Sequence, residues 1–318
     1  MTIAHIRSLF HATVWLACLL SAFAPAWAAS LGYEGGDIIV ADYVGRIAVF
    51  DREMVFKNYL ETNFNLVGGL TLTSNGELVA AGRLPGSIRR YNPAGDLVDV
   101  IVGGTELGYP IDIKTGPGDL LYVATQTAAV AELTLAGSLQ RTFGSLQDPQ
   151  AIAVLPNGEL WVGHGTDSSD YLAKNPIQVF SLTSGELLRT IPLVSIHEVG
   201  TMHYSATSDT VLLTAPTFGI VYEYAIDCTL VRQFDSGATR YAYGVTRADN
   251  GLVYVTGQLT GNVARYHANG TFLDSIDLGP YVERPIGIIQ VPVPEPAGTG
   301  LLTVGLAVFF VTRRRLRL

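Results

Sequence analysis

Residues 148–165 read DPQAIAVLPNGELWVGHG and, after a polar insertion, residues 177–191 read IQVFSLTSGELLRTI. Apolar residues alternate in four short runs, 151–154, 160–163, 177–180 and 187–191, and that alternation is the period of a β-strand with one face or both buried. Asn157-Gly158 separates the first two runs and Ser184-Gly185 the last two, where a tight reversal needs a residue tolerant of positive φ. The spacing predicts one antiparallel meander of four strands.

The unit recurs along the chain. Aligned on its second strand, the copies read GDIIVAD (36–42), GELVAAG (76–82), DLLYVAT (119–125), GELWVGH (158–164), TVLLTAP (210–216) and GLVYVTG (251–257), about 40 residues apart and about 51 before the fifth copy. The third strands repeat in step, from RIAVFD (46–51) and IQVFSL (177–182) to NVARYH (262–267), and they are apolar on both faces. A fixed period carrying one four-stranded sheet marks a propeller, in which each sheet is buried between its neighbours. The first copy lacks a first strand, whereas RPIGIIQV (284–291) matches first strands such as DPQAIAV (148–154). The expected fold is therefore all-β: a six-bladed β-propeller over residues 29–291, its ring closed by the C-terminal strand.

Composition agrees. Apolar residues make up 48% of the 318 and charged residues 15%, enough for a core, and 34 glycines with 15 prolines punctuate short strands. Of the two cysteines, Cys18 lies in the leader and Cys228 is alone in the body, so no intramolecular disulfide is expected there. The net charge of −8 understates the acidity of the body, because Arg7, Arg313, Arg314, Arg315 and Arg317 all lie in the terminal segments. An acidic surface repels phosphate backbones, so nucleic acid is not an expected partner.

These strand motifs resemble those of NHL-repeat and TolB-like propellers, with a first strand of the type P-x-G-I-A-V, an N-G turn, a strand like L-W-V and a third like I-Q-V-F. The resemblance implies a six-bladed scaffold. It implies no single activity, since such propellers include binding modules, lactonases and lyases.

The ends carry addresses. Residues 1–28 join a weakly basic start, an apolar core and Ala26-Trp27-Ala28, which predicts a signal peptide cut by signal peptidase between Ala28 and Ala29. Residues 292–318 hold Pro294-Glu295-Pro296, an uncharged stretch at 298–312, and Arg313, Arg314 and Arg315 with Arg317. At about 1.5 Å per residue that stretch is a short transmembrane helix against a hydrocarbon core near 30 Å, and the arginines hold its end in the cytoplasm. The segment resembles a PEP-CTERM sorting signal. That resemblance implies a Gram-negative envelope, a transient membrane anchor, an exosortase that removes the tail, and release to the cell surface or extracellular matrix; the alternative is a permanent tail anchor.

Candidate ligand-binding residues follow from position. Asp112 and His203 interrupt otherwise apolar or small first strands in the third and fifth units, and Asp42 and His164 end second strands, near the same predicted mouth. Such a set suits a divalent cation; the competing reading is of hydrogen-bonded strand and turn residues. The insertion 165–176 lengthens a loop that carries Asp167, Asp170 and Tyr171, and long loops often bind ligands, although the spacing is not that of a calcium-binding hand loop. Tyr241, with Tyr109, Tyr243, Arg240 and Arg284 at blade junctions, suits stacking on sugar rings. No G-x-S-x-G elbow, phosphate loop or H-E-x-x-H occurs. The sequence reads best as an exported, non-catalytic binding or matrix protein without a cofactor, its partner a polysaccharide or another envelope protein. The alternative is a metal-dependent lactonase- or lyase-like enzyme with the cation at the propeller mouth.

Intact-mass measurement on protein from the native host is expected to find a species that begins at Ala29 and lacks the apolar tail. A dominant species ending at Leu318 would mean that the tail is a lasting anchor.

Overall fold

A computed structural model describes residues 32–293, apart from residues 85, 103–106, 127–128, 145, 147, 166–175, 194–197 and 238. The signal-peptide and tail residues Ala28, Ala29, Pro294, Glu295, Pro296, Arg313, Arg314 and Arg315 lie outside the described residues, as do Asp167, Asp170 and Tyr171. Among the described residues, strands form six antiparallel sheets of four, and no helix is long and apolar enough to cross a membrane.

From blade one to blade six, the inner strands are Pro285–Gln290, Val67–Leu72, Pro110–Thr115, Pro149–Val154, Met202–Ser205 and Ala242–Arg247. The second strands are Ile38–Asp42, Leu78–Gly82, Leu121–Thr125, Glu159–His164, Thr210–Ala215 and Val253–Gly257. Three inner strands begin at proline, earlier than alternation predicts. Proline is tolerated there because these strands line the channel edge, where no ladder bond is lost.

Alternation decides the packing. Ile38 and Val40 turn toward blade six, while Ile39 and Ala41 turn toward blade two, and all four are buried. Six hydrophobic clusters follow around the ring, each shared by two adjacent blades. Since one fully buried aliphatic side chain stabilises by about 1.5–3 kcal/mol, a blade removed from its neighbours forfeits most of its support.

Polar staples add register. Glu132 faces Arg141, Glu223 faces Arg232 and Arg265 faces Asp274 on paired third and outer strands, with ion pairs at 2.8, 3.0 and 2.5 Å. Two of these arginines reach forward to the next blade: Arg141 donates to Leu182 O and to Thr183 O at 2.9 Å, and Arg232 to Ala268 O at 3.0 Å. In blade four, Arg189 pairs with Glu159 at 2.7 Å and donates to Cys228 Sγ at 3.0 Å.

Ring closure uses chain ends that are far apart in sequence. Ile38, Ile39, Val40 and Ala41 pair with Gln290, Ile289, Ile288 and Gly287. Asp42, with no exposure, completes the join. Its Oδ2 accepts from Arg46 Nη2 at 2.7 Å and from the Glu283 backbone N–H at 3.0 Å, and its Oδ1 accepts from the N–H groups of Val44 at 3.2 Å and Arg284 at 3.1 Å. A buried carboxylate so occupied is tolerated, whereas its buried donors without it are not.

Asp42→Ala is expected to lower the unfolding free energy in denaturant by about 3–5 kcal/mol, the usual effect of breaking a buried charge network. A loss below about 1 kcal/mol would show that closure rests on the strand pairing alone.

Candidate binding site at the mouth of the channel

The channel narrows where inner strands carry small residues at one level: Gly69, Ala151, Thr201, Gly244 and Gly287. Blade three places Asp112 there instead. Two of these positions have no room for a side chain, since a Cβ on Gly244 would lie 2.5 Å from Ile286 O and one on Gly69 would lie 2.7 Å from Asp112 Oδ1. The cavity at the constriction is about 20 Å³, room for a single water.

The four residues proposed for a cation take separate places. Asp112 Oδ1 accepts from Ile113 N–H at 2.8 Å and pairs with Lys114 Nζ at 2.5 Å, while Oδ2 accepts from Ile152 N–H at 3.0 Å, tying blade three to blade four. His203 lines both the constriction and a mouth of about 400 Å³ at the C-terminal ends of the inner strands. Asp42 and His164 end second strands at the opposite side of the ring, and Asp42 belongs to the closure. Among the described residues, no three His, Cys, Asp or Glu side chains converge to hold a metal ion.

The His203 mouth is polar but internally neutralised. Lys114 is bound by Asp112, and Arg247 lies 2.9 Å from Glu223 Oε1. His203 itself is half-buried where the channel narrows. That desolvation, followed by the charges of Lys114 and Arg247, draws its imidazole from the ordinary 6.5 down to about 3.

The mouth at the N-terminal ends of the inner strands differs. It holds about 320 Å³ and is lined by Tyr43, Arg83, Gln150, Tyr241, Tyr243, Gln258, Leu259, Arg284 and Ile286. Two structural columns supply most of these. Tyr43, Arg83 and Gln258 are the residues that follow second strands, and their backbone N–H groups donate to Arg284 O (2.9 Å), Leu66 O (3.0 Å) and Tyr241 O (3.1 Å). Gln150, Tyr243 and Ile286 sit at the shift of register where each inner strand bulges, and a bulge re-aims a side chain out of the ladder.

Aromatic faces are presented in two pairs. The Tyr241 and Tyr243 rings stack at 6.2 Å between centroids with 27° between planes, and the Arg284 guanidinium lies 4.4 Å over the Tyr43 ring. Tyr241 adopts φ 58, a left-handed conformation that is costly for a non-glycine residue, as does Leu66 at φ 55 in the equivalent position of blade two. Burial pushes the Tyr243 phenol well above its usual range, so it is a hydrogen-bond donor throughout the physiological range. Arg83 Nη2 donates to Gln126 Oε1 at 3.0 Å. Beneath the mouth, Asp148 Oδ1 and Gln150 Oε1 are buried without a hydrogen-bond donor. Burial therefore raises the Asp148 carboxyl above its ordinary range, with Arg83 and His164 opposing.

Of the sequence candidates, this mouth gathers Tyr241, Tyr243 and Arg284, and it does not include the exposed Tyr109. Tyr43, Arg83 and Gln258 are each the first residue after a repeated second-strand motif, a column that the period of the sequence marks. Gln150 was not recoverable from alternation, because a bulge leaves no mark in a two-residue period.

No protein-family model matches the chain, and no curated protein matches it in sequence. Solved structures do. A chain of a nidogen/laminin complex is 15% identical with a TM-score of 0.68 over 79% of this chain and 97% of its own. A Bacteroides caccae protein of unknown function is 11% identical with a TM-score of 0.63, over 81% and 99%. Virginiamycin B lyase from Staphylococcus aureus is 13% identical with a TM-score of 0.54, over 70% and 73%. At such identities the likeness concerns fold alone, and the class it defines is the six-bladed β-propeller.

The position of His203 yields a pH prediction. Its folded-state affinity for a proton is below that of the unfolded chain, so the unfolded state binds more protons between pH 6.5 and about 3. Stability is then full above 6.5 and declines as pH falls through that window, by at most about 1.4 kcal/mol per pH unit for this one group. Thermal unfolding of His203→Gln should show a flatter acid limb than the parent; parallel curves would contradict the assignment.

Proposed function

We propose that the protein is an exported, exosortase-sorted propeller that acts without catalysis as a polysaccharide-binding component of the cell surface or extracellular matrix. The supporting observation is the mouth formed by Tyr43, Arg83, Tyr241, Tyr243, Gln258 and Arg284. Its aromatic faces and hydrogen-bonding groups converge on one open concavity, the arrangement that suits a ring with an apolar face and a hydroxylated edge. Its volume lies at the small end of ligand pockets, about 300–1,000 Å³, so the ligand is held by a short segment or a chain end.

The export signal and the PEP-CTERM-like tail supply the cellular side of this reading. The acidic body argues for a carbohydrate or protein partner and against nucleic acid.

Glycan-array screening of the purified full chain, followed by titration calorimetry on any hit, is expected to give saturable binding. Tyr43→Ala and Tyr241→Ala should each weaken it about tenfold, through lost stacking and lost contact area. Failure of every glycan to bind, or binding indifferent to both substitutions, would defeat the proposal.

A further inference from the structure

Resting on the polysaccharide reading of this mouth, we infer that it selects an acidic sugar, a uronate unit whose carboxylate is received by Arg83 and Arg284. The first observation is how these two arginines are left. Arg46, Arg141, Arg189, Arg232 and Arg265 each have a carboxylate within 3.0 Å. Among the described residues, neither Arg83 nor Arg284 has one within ion-pair distance; Arg83 is held by the neutral Gln126 and Arg284 by the face of Tyr43. Both line one concavity in a chain of net charge −8.

The second observation is how the nearby acids are disposed. Asp42 is fully engaged by Arg46 and backbone N–H groups, and Glu283 is turned to Arg46 at 3.0 Å. Glu198 is buried and accepts from Thr217 Oγ1 at 3.0 Å. Asp148 is directed under Gly165, where a Cβ would meet its Oδ2 at 2.3 Å. None of these carboxylates stands within ion-pair distance of Arg83 or Arg284, Asp148 acting on Arg83 only from further off, and the two half-buried guanidinium groups present planar forks that match a carboxylate in two parallel hydrogen bonds.

The third is contrast with the opposite mouth, where Lys114 and Arg247 carry the same charge but are each bound by an acid of the protein. An anion there would have to displace Asp112 or Glu223. At the tyrosine-lined mouth no carboxylate of the described residues has to be displaced, and the stacked Tyr241–Tyr243 pair sits beside the cations to take the sugar ring.

The test uses the purified full chain and oligomers of galacturonate, mannuronate and glucuronate, each beside its methyl ester, which removes the charge at the cost of one added methyl group. At least one free acid should bind about tenfold or more tightly than its ester, and added salt should narrow that gap. Arg83→Gln and Arg284→Gln should each weaken the acid about tenfold to a hundredfold and weaken the ester much less, so that the gap between acid and ester closes. Equal binding of acid and ester, acid binding insensitive to both substitutions, or binding of neutral glycans alone would overturn the inference while leaving the polysaccharide reading in place. Absence of binding by any glycan, neutral or acidic, would overturn both.

Discussion

Burial on both faces of every blade is the constraint from which the rest of this structure follows. A four-stranded sheet with apolar side chains on both faces has no stable existence alone, and each of the six clusters belongs to two blades at once. Such a sheet needs two neighbours, which only a closed ring gives to all of them. Closure in turn demands that a strand from the C-terminal end of the body complete the blade in which it begins, as Pro285–Gln290 does beside Ile38–Asp42. The buried carboxylate of Asp42 is placed at that seam, where it collects N–H donors from residues more than 240 positions away along the chain.

The constraint also shapes the site. Inner strands crowded around one axis must be small at the narrowest level, and the bulges that admit this level throw the preceding side chains outward at one mouth. Gln150, Tyr243 and Ile286 thus reach the mouth as a by-product of packing the ring. The residues after the second strands join them because each is held by a backbone bond to the residue leading into the inner strand of its own blade. Among the described residues, a set contributed by blades one, two, four and six is therefore gathered by strand ends and bulges.

Much of this was legible in the sequence, and the limits are physical. Period, blade number and closure came from motifs spaced about 40 residues apart and from the likeness of 284–291 to 148–154. Those features reflect burial, which composition records at every strand. Depth along the channel was not legible: Asp112 and His203 both belong to inner strands, yet Asp112 lies at the constriction and His203 a few residues further toward the opposite mouth. Placing them demands the register of each inner strand, and the bulges shift that register by amounts that a two-residue alternation does not encode.

Charge is divided between two uses, and the division separates scaffold from site. On the outer strands Arg141, Arg189 and Arg232 each meet an acid of their own blade and also donate to the next blade, so their charge is consumed in holding neighbours together. At the tyrosine-lined mouth Arg83 and Arg284 meet an amide and an aromatic face, contacts that orient a guanidinium without neutralising it. An ion pair within the protein lowers what a ligand gains by binding, because the ligand must first break it. A cation held by neutral groups keeps its full attraction for an arriving anion and loses only hydration. The stapled rim and the open mouth thus use the same residue type to opposite ends, set by whether a carboxylate stands within reach.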